Sequence, residues 1–70
     1  MAKYYVNNNA QSSGEREVHK EGVGCPYLPL IISKIDLGEH STCQSALAKA
    51  KLYYHNVDGC KSCVPECHSR

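Results

Sequence analysis

The sequence contains neither tryptophan nor phenylalanine, and methionine occurs once. An interior built from Leu, Ile, Val, Ala and Tyr is small in a chain of 70 residues. A core of this size rarely supplies more than about 3–5 kcal/mol, so a covalent or metal cross-link is expected. The chain is too short for a Rossmann, barrel or kinase-type catalytic domain. We therefore predict that residues 1–70 form a single small, cysteine-stabilised domain.

Long apolar runs and an excess of one charge sign are also absent. The longest apolar run, residues 28–32, is interrupted by Pro29, so we predict no membrane-spanning segment. Eight basic and seven acidic residues are interspersed and give a formal net charge of +1. Nucleic-acid-binding domains usually carry a basic stripe or a strongly basic pI. The composition therefore argues against nucleic acid or a membrane as the partner.

Recognisable catalytic patterns are missing as well. The sequence has no phosphate-binding glycine loop, no paired-carboxylate motif and no Ser/His/Asp signature, so we predict no catalytic or cofactor-binding residues. The first residues lack the apolar segment of a secretory signal, which predicts a cytoplasmic location. Persistent disulfides are uncommon there. Five cysteines also leave at least one thiol unpaired, which favours metal or thiol chemistry.

Hydrophobic patterning predicts an α+β fold, with a small antiparallel sheet of about three strands, one helix and a cysteine-rich C-terminal tail. The second strand is expected at the edge of the sheet, and Gly38 is expected to end the third. A further short strand is considered within residues 60–64. The three predicted strands are residues 3–7, 15–20 and 30–37.

A single helix follows the third strand. Ser41 and Gln44 fit a capping box at its start. A helix packed on a small sheet is an economical way to bury the apolar face of each element. The apolar face of the predicted helix consists of Cys43, Leu47, Ala50 and Tyr54, which recur at helical spacing.

The cysteines of the tail carry most of the chemical information. In a tight turn, the Cys-x-x-Cys spacing of Cys60 and Cys63 lets two thiolates converge on one metal ion. Cys67 is the predicted third ligand and Cys43 the preferred fourth, which together would hold one structural Zn²⁺. The alternatives for the fourth ligand are Cys25, His19 and His40.

Disulfides are the alternative to zinc. Cys43 lies on the predicted buried face of the helix, so a bridge from it to the tail would pin the C-terminus to the helix. A second bridge could join Cys25 to another tail cysteine, and two bridges would contribute a few kcal/mol. A third outcome is reduced, buried cysteines that act as small apolar residues. His19 is expected to face solvent, because it lies on the strand face opposite Val18.

These patterns predict a non-enzymatic module that acts through an unidentified protein partner. A thiol-based redox or sensor protein is the alternative, using either Cys60 and Cys63 or Cys43, which lies in the first helical turn. There the helix dipole favours a thiolate. A nucleic-acid-binding zinc module is a further alternative, and it would show steeply salt-dependent binding.

Short segments spread over nearly the whole chain are the last sequence feature considered. They are residues 2–7 with Ala10 and Gln11, then 17–19, 24–25, 37–39, 41–43, 58–60, Cys63 and 67–68. In these segments the chain resembles a family of short, cysteine-containing bacterial proteins of unknown function. The resemblance implies a bacterial or phage cytosolic source, and it implies no mechanism.

Overall fold

The computed structural model describes residues 1–12 and 14–69. It contains one α-helix and one four-stranded sheet, which confirms the predicted α+β class. None of the described helices is long and apolar enough to cross a membrane. The strands are β1 (Ala2–Asn7), β2 (Arg16–Lys20), β3 (Lys34–His40) and β4 (Val57–Gly59), the helix is α1 (Cys43–Ala50), and two 3₁₀ turns span Leu28–Leu30 and Pro65–Cys67.

The sheet is mixed and has the strand order β3-β1-β2-β4. β1 pairs antiparallel with β2 and β3, whereas β4 pairs in parallel with β2. The prediction of three antiparallel strands therefore missed β4, and β2 is an internal strand rather than an edge strand. β4 has three residues, which is too short to show the alternation by which strands are recognised.

β3 begins and ends later than predicted. Pro29 lies within the 3₁₀ turn Leu28–Leu30, so the apolar residues around it do not extend the strand. Gly38 has a φ of +83° and lies at a β-bulge, where Tyr4 pairs with Gly38 and Tyr5 with Asp36. Glycine adopts this backbone conformation without steric cost, so Gly38 bends β3 instead of ending it.

α1 begins one residue later than the predicted capping box and ends before Tyr54. Its N-cap is Thr42, whose Oγ1 accepts a hydrogen bond from the backbone N–H of Ser45 at 3.2 Å. The helix packs mainly on β3 and β4. The side chains that it buries are Cys43, Ala46 and Ala50, with Leu47 and Tyr54 partly buried against the core.

Both faces of the sheet are covered at the centre of β2. Val18 and His19 are neighbours in this strand and are 0% and 1% exposed. Successive residues of a strand point to opposite faces. Val18 pairs with the buried Val6 in the core. The face of His19 is covered by the loop that contains Cys25 and by the chain that follows β4, and this second covered face carries the candidate site.

Candidate metal centre

Four buried side chains converge on the second face of the sheet. They come from β2, from the loop that follows it and from the turn after β4, and their potential ligand atoms all lie within 4.8 Å of one another. Such a group of donors could hold a metal ion. We call this group the thiol cluster; its members are His19, Cys25, Cys60 and Cys63.

Three of the six donor–donor distances within the thiol cluster match the edges of a tetrahedral zinc site, and all six are within 4.8 Å. His19 Nδ1 lies 3.5 Å from Cys25 Sγ and 3.6 Å from Cys63 Sγ. Cys25 Sγ lies 3.8 Å from Cys60 Sγ. With metal–ligand bonds of about 2.3 Å to sulfur and about 2.0–2.1 Å to nitrogen, the edges of a zinc tetrahedron are about 3.8 Å between sulfurs and about 3.5–3.6 Å from nitrogen to sulfur. The donors are thus spaced for an ion of this size between them.

The turn that supplies Cys60 and Cys63 is held directly on the sheet. The backbone N–H of Cys60 donates to Val18 O at 2.9 Å, which continues the pairing of β4 with β2. The N–H of Val64 donates to Cys60 O at 2.8 Å and closes the turn. These two bonds fix the turn beside His19, the residue after Val18.

Backbone N–H groups act on all three sulfurs of the thiol cluster. Cys63 Sγ accepts from the N–H of Lys20 at 3.3 Å. Two backbone groups in the Pro-containing segment after Cys25 act to lower the pKa of its thiol. Two backbone groups in the turn of Cys60 act to lower the pKa of that thiol, against the larger effect of burial. Main-chain donors of this kind stabilise thiolates, which are the form that binds metal.

Burial and hydrogen bonding shift the pKa values of the three thiols in different directions. Burial raises the pKa of Cys63 and of Cys60 above the ordinary value. Burial also acts to raise the pKa of Cys25, but hydrogen bonds from Cys63 and from backbone N–H groups outweigh it and lower the pKa. Burial lowers the pKa of His19, which keeps the imidazole in the neutral form that can act as a ligand.

The second ring nitrogen of His19 faces a carboxylate. His19 Nε2 lies 3.6 Å from Oε1 of Glu17, which is on the same strand and has a side chain 23% exposed. Histidine ligands commonly turn their other ring nitrogen toward a carboxylate, which fixes the ring orientation and makes the ligand more basic. The Glu17–His19 pair therefore fits a metal-binding role for Nδ1.

The ligand set predicted from the sequence differs from the thiol cluster at two positions. Cys60 and Cys63 lie together as predicted. Cys43 and Cys67, the other two predicted zinc ligands, are instead joined in a disulfide with a Cα–Cα distance of 6.2 Å. The physical reason is that Cys43 begins α1, and the turn Pro65–Cys67 packs against that helix. The alternative prediction of a bridge from helix to tail is confirmed, whereas Cys25 forms no second bridge and is free.

His19 is one of the alternative fourth ligands considered from the sequence, and the structure places it in the thiol cluster. It was expected to face solvent but is 1% exposed. Period-two alternation places it opposite Val18, and the sequence does not show that this second face is covered. Its spacing to Cys25 in the following breaker-rich loop was the available signal. His40, another considered ligand, instead lies at the start of α1, with Nδ1 2.7 Å from Ser45 Oγ and Nε2 2.8 Å from a backbone carbonyl.

An open groove of about 800 Å³ lies beside the thiol cluster. Its lining includes His19 and Cys60 together with apolar side chains, of which Tyr27 is 51% and Ile32 98% exposed. No protein-family model, curated protein or solved structure matches the chain. The thiol cluster, the disulfide and this groove are therefore the features from which a function is inferred.

Proposed function

We propose that the protein is a small, non-enzymatic module whose fold is stabilised by one structural Zn²⁺ bound to His19, Cys25, Cys60 and Cys63. The observation that carries this proposal is the convergence of three buried thiols and one imidazole within 4.8 Å, with Cys25 Sγ and Cys60 Sγ 3.8 Å apart. Two sulfurs at that distance are not bonded to each other, and they are at the edge length of a zinc–thiolate tetrahedron, about 3.8 Å.

The donor set favours zinc over other common ions. Thiolate and imidazole ligands in a tetrahedral arrangement are typical of zinc. Calcium and magnesium prefer oxygen ligands, of which the thiol cluster itself contains none. The sulfur-directed N–H groups of Lys20 and of the two cysteine-containing turns support a cluster of thiolates around a cation.

A structural role is favoured over a catalytic one by the number of ligands. Four protein ligands complete a tetrahedron and leave no position for water or substrate, as in structural zinc sites. All four residues are buried. The exposed side chains of Tyr27 and Ile32 in the adjacent groove support an interaction with another protein. A cytoplasmic location is part of the same proposal.

The proposal is tested by metal analysis of the full chain. Protein purified without added metal is expected to contain one zinc per chain, measured by elemental mass spectrometry. Replacement of that zinc by Co²⁺ should give the visible absorption of tetrahedral cobalt with sulfur-to-cobalt charge transfer. The Cys60→Ser variant should lose both signals, because it removes one ligand.

A matched variant separates the thiol cluster from cysteine content in general. Cys43→Ser combined with Cys67→Ser removes two cysteines outside the thiol cluster and should keep one metal ion per chain. Substoichiometric metal in the wild type, or metal retained unchanged by Cys60→Ser, would contradict the proposal.

Thiol redox chemistry is the second candidate, and the disulfide Cys43–Cys67 is the observation that favours it. Within the thiol cluster the raised pKa of Cys60 and Cys63 argues against a reactive pair at that position. Cys43 is therefore the better placed of the two redox sites considered. Nucleic-acid binding has no comparable support, since the formal net charge is +1.

A further inference from the structure

The disulfide and the thiol cluster are linked through β4. The disulfide joins the first residue of α1 to the turn Pro65–Cys67. That turn lies directly on Gly59, where an added Cβ would be 2.7 Å from Val64 O and 2.9 Å from the carbonyl carbon of Cys67. Only glycine fits so close an approach. The backbone of Cys67 thus packs against the residue that precedes the cluster ligand Cys60.

Hydrogen bonds add to this contact. Residues 64–69, which we call the tail segment, fold back along β4. His68 Nδ1 lies 2.9 Å from Gly59 O, and Ser69 donates from both its N–H and its hydroxyl to Asp58 Oδ1 at 2.9 Å. The disulfide adds a covalent link to these hydrogen bonds. Together they hold the tail segment against β4, the strand that leads into the turn of Cys60 and Cys63.

The Cys67 half of the disulfide borders a groove. A groove of about 520 Å³ between α1 and the tail segment is lined by Cys67 together with Leu47 and Lys51. Cys43 is 3% exposed and does not belong to that lining. Thiol–disulfide exchange depends on which sulfur an attacking thiolate can approach. The structure therefore favours attack on the sulfur of Cys67.

We infer that Cys43–Cys67 is an exchangeable disulfide, and that its reduction by a dithiol reductant loosens the hold of the thiol cluster on its metal ion. This inference rests on the proposed function, that the thiol cluster binds Zn²⁺. A disulfide in a reducing compartment is usually transient or redox-sensing. The expected cytoplasmic location thus agrees with an exchangeable bond.

The dithiol reductant supplies the two electrons that reduce the disulfide. One reductant thiolate attacks Cys67 Sγ, the Cys43–Cys67 bond breaks, and Cys43 leaves as a thiolate. The second reductant thiol, as its thiolate, then displaces Cys67, so the reductant becomes a disulfide and both cysteines become thiols after taking up two protons. Cys43 is a suitable leaving group, since it begins α1 and the helix dipole stabilises a thiolate there.

Reduction leaves the tail segment attached by hydrogen bonds and packing alone. Gly59 and the following Cys60 are then no longer held by a covalently anchored neighbour. Loss of a group that directly supports a metal ligand lowers affinity about 10–100-fold. The disulfide acts on Cys60 through Gly59, so we expect the lower end of this range: the reduced protein should bind the same single ion and release it about tenfold faster.

The test compares zinc release from the same full-length chain in two redox states. The chain, with or without prior treatment with a dithiol reductant, is freed of the reductant, loaded with one zinc and mixed with a chromogenic chelator. The first-order rate of zinc transfer is then recorded. Intact mass confirms the state of the disulfide. Cys43→Ser combined with Cys67→Ser should release zinc at the rate of the reduced wild type and should not respond to the dithiol. Leu52→Ser, at a position 80% exposed, is the control that should respond as the wild type does.

Each outcome decides the inference. Equal release rates from the oxidised and reduced wild type, both carrying one zinc, would overturn the inference and leave the proposed function intact. A disulfide that resists the reductant in the folded protein would overturn it also. An oxidised protein that binds no zinc would overturn the proposed function and this inference with it. The wild-type comparison decides the matter even if the double variant does not fold.

Discussion

The two cysteine sites of this protein differ in how many partners each sulfur meets. Cys43 on α1 meets the single sulfur of Cys67, and the pair forms a covalent bond between two segments. Cys60 in the turn after β4 lies within reach of two further sulfurs and an imidazole. A sulfur with one partner can form a disulfide, whereas three sulfurs beside one imidazole could together hold a metal ion.

The two sites also differ in the free energy they can contribute. A disulfide between residues 24 apart in sequence stabilises a fold by roughly 3–4 kcal/mol in the chain-entropy account. Zinc bound to sites of this type contributes an apparent 10–16 kcal/mol, as an order of magnitude, at pH 7. Because the chain has a small core, we expect its folding to depend on the metal far more than on the disulfide.

The largest effect is expected from removing a ligand of the thiol cluster. Cys63→Ser should abolish stoichiometric metal binding and leave buried polar groups without their cation. We expect the cooperative thermal transition, followed by circular dichroism, to be lost. Leu52→Ser should melt as the wild type does. An unchanged transition in Cys63→Ser would show that the thiol cluster does not hold the fold together.

A smaller effect is expected from removing the disulfide. Cys43→Ser combined with Cys67→Ser should keep one zinc per chain but lose roughly 3 kcal/mol of unfolding free energy in urea titrations. The comparison of the two sites fails if this variant loses its metal or unfolds as completely as Cys63→Ser.

The contact between the tail segment and β4 is the place where the two sites meet. Gly59→Ala would set a Cβ 2.7 Å from the backbone oxygen of Val64 and should cost about 1–3 kcal/mol through overpacking. The added methyl group would push the tail segment, which carries Cys67, away from β4. Because Gly59 directly precedes the ligand Cys60, zinc release should also become faster. Unfolding in urea and the rate of zinc release, measured on the same variant, test this prediction. A loss of stability with an unchanged release rate would show that the disulfide and the thiol cluster are not coupled through Gly59.

The smallest effect concerns the support of one ligand. Glu17→Gln keeps the size of the side chain but removes the charge that faces His19 Nε2 at 3.6 Å. Zinc affinity, measured by competition with a chelator, should fall about tenfold. The disulfide should remain formed, as shown by intact mass. An unchanged affinity would mean that Glu17 does not orient His19.

The parts of the molecule that depend on local spacing could be predicted from the sequence. The Cys60-x-x-Cys63 turn brings its two sulfurs together, and the helical spacing places Cys43 on the buried face of the helix. Both follow from residues close together in the chain. The α+β class follows in the same way from one helical and several strand-like patterns.

The remaining donors depend on contacts between distant segments. His19, one of the alternative ligands considered from the sequence, meets the tail cysteines because β4 pairs with β2 in parallel and carries Cys60 to the backbone of Val18. A strand of three residues has no readable periodicity, so neither this pairing nor the cover over the second face of the sheet could be predicted. For the same reason Cys25 could be proposed as an alternative ligand but not placed.

Intact mass under native and then denaturing conditions tests the central claim most directly. The account predicts one bound zinc in the native spectrum. After acidification the ion should be lost, and the mass should be lower than that of the fully reduced chain by the two hydrogens of one disulfide. Alkylation of the denatured protein should then label Cys25, Cys60 and Cys63 and spare Cys43 and Cys67. A metal-free native mass, or labelling that shows Cys25, Cys60 or Cys63 in a disulfide, would contradict the account.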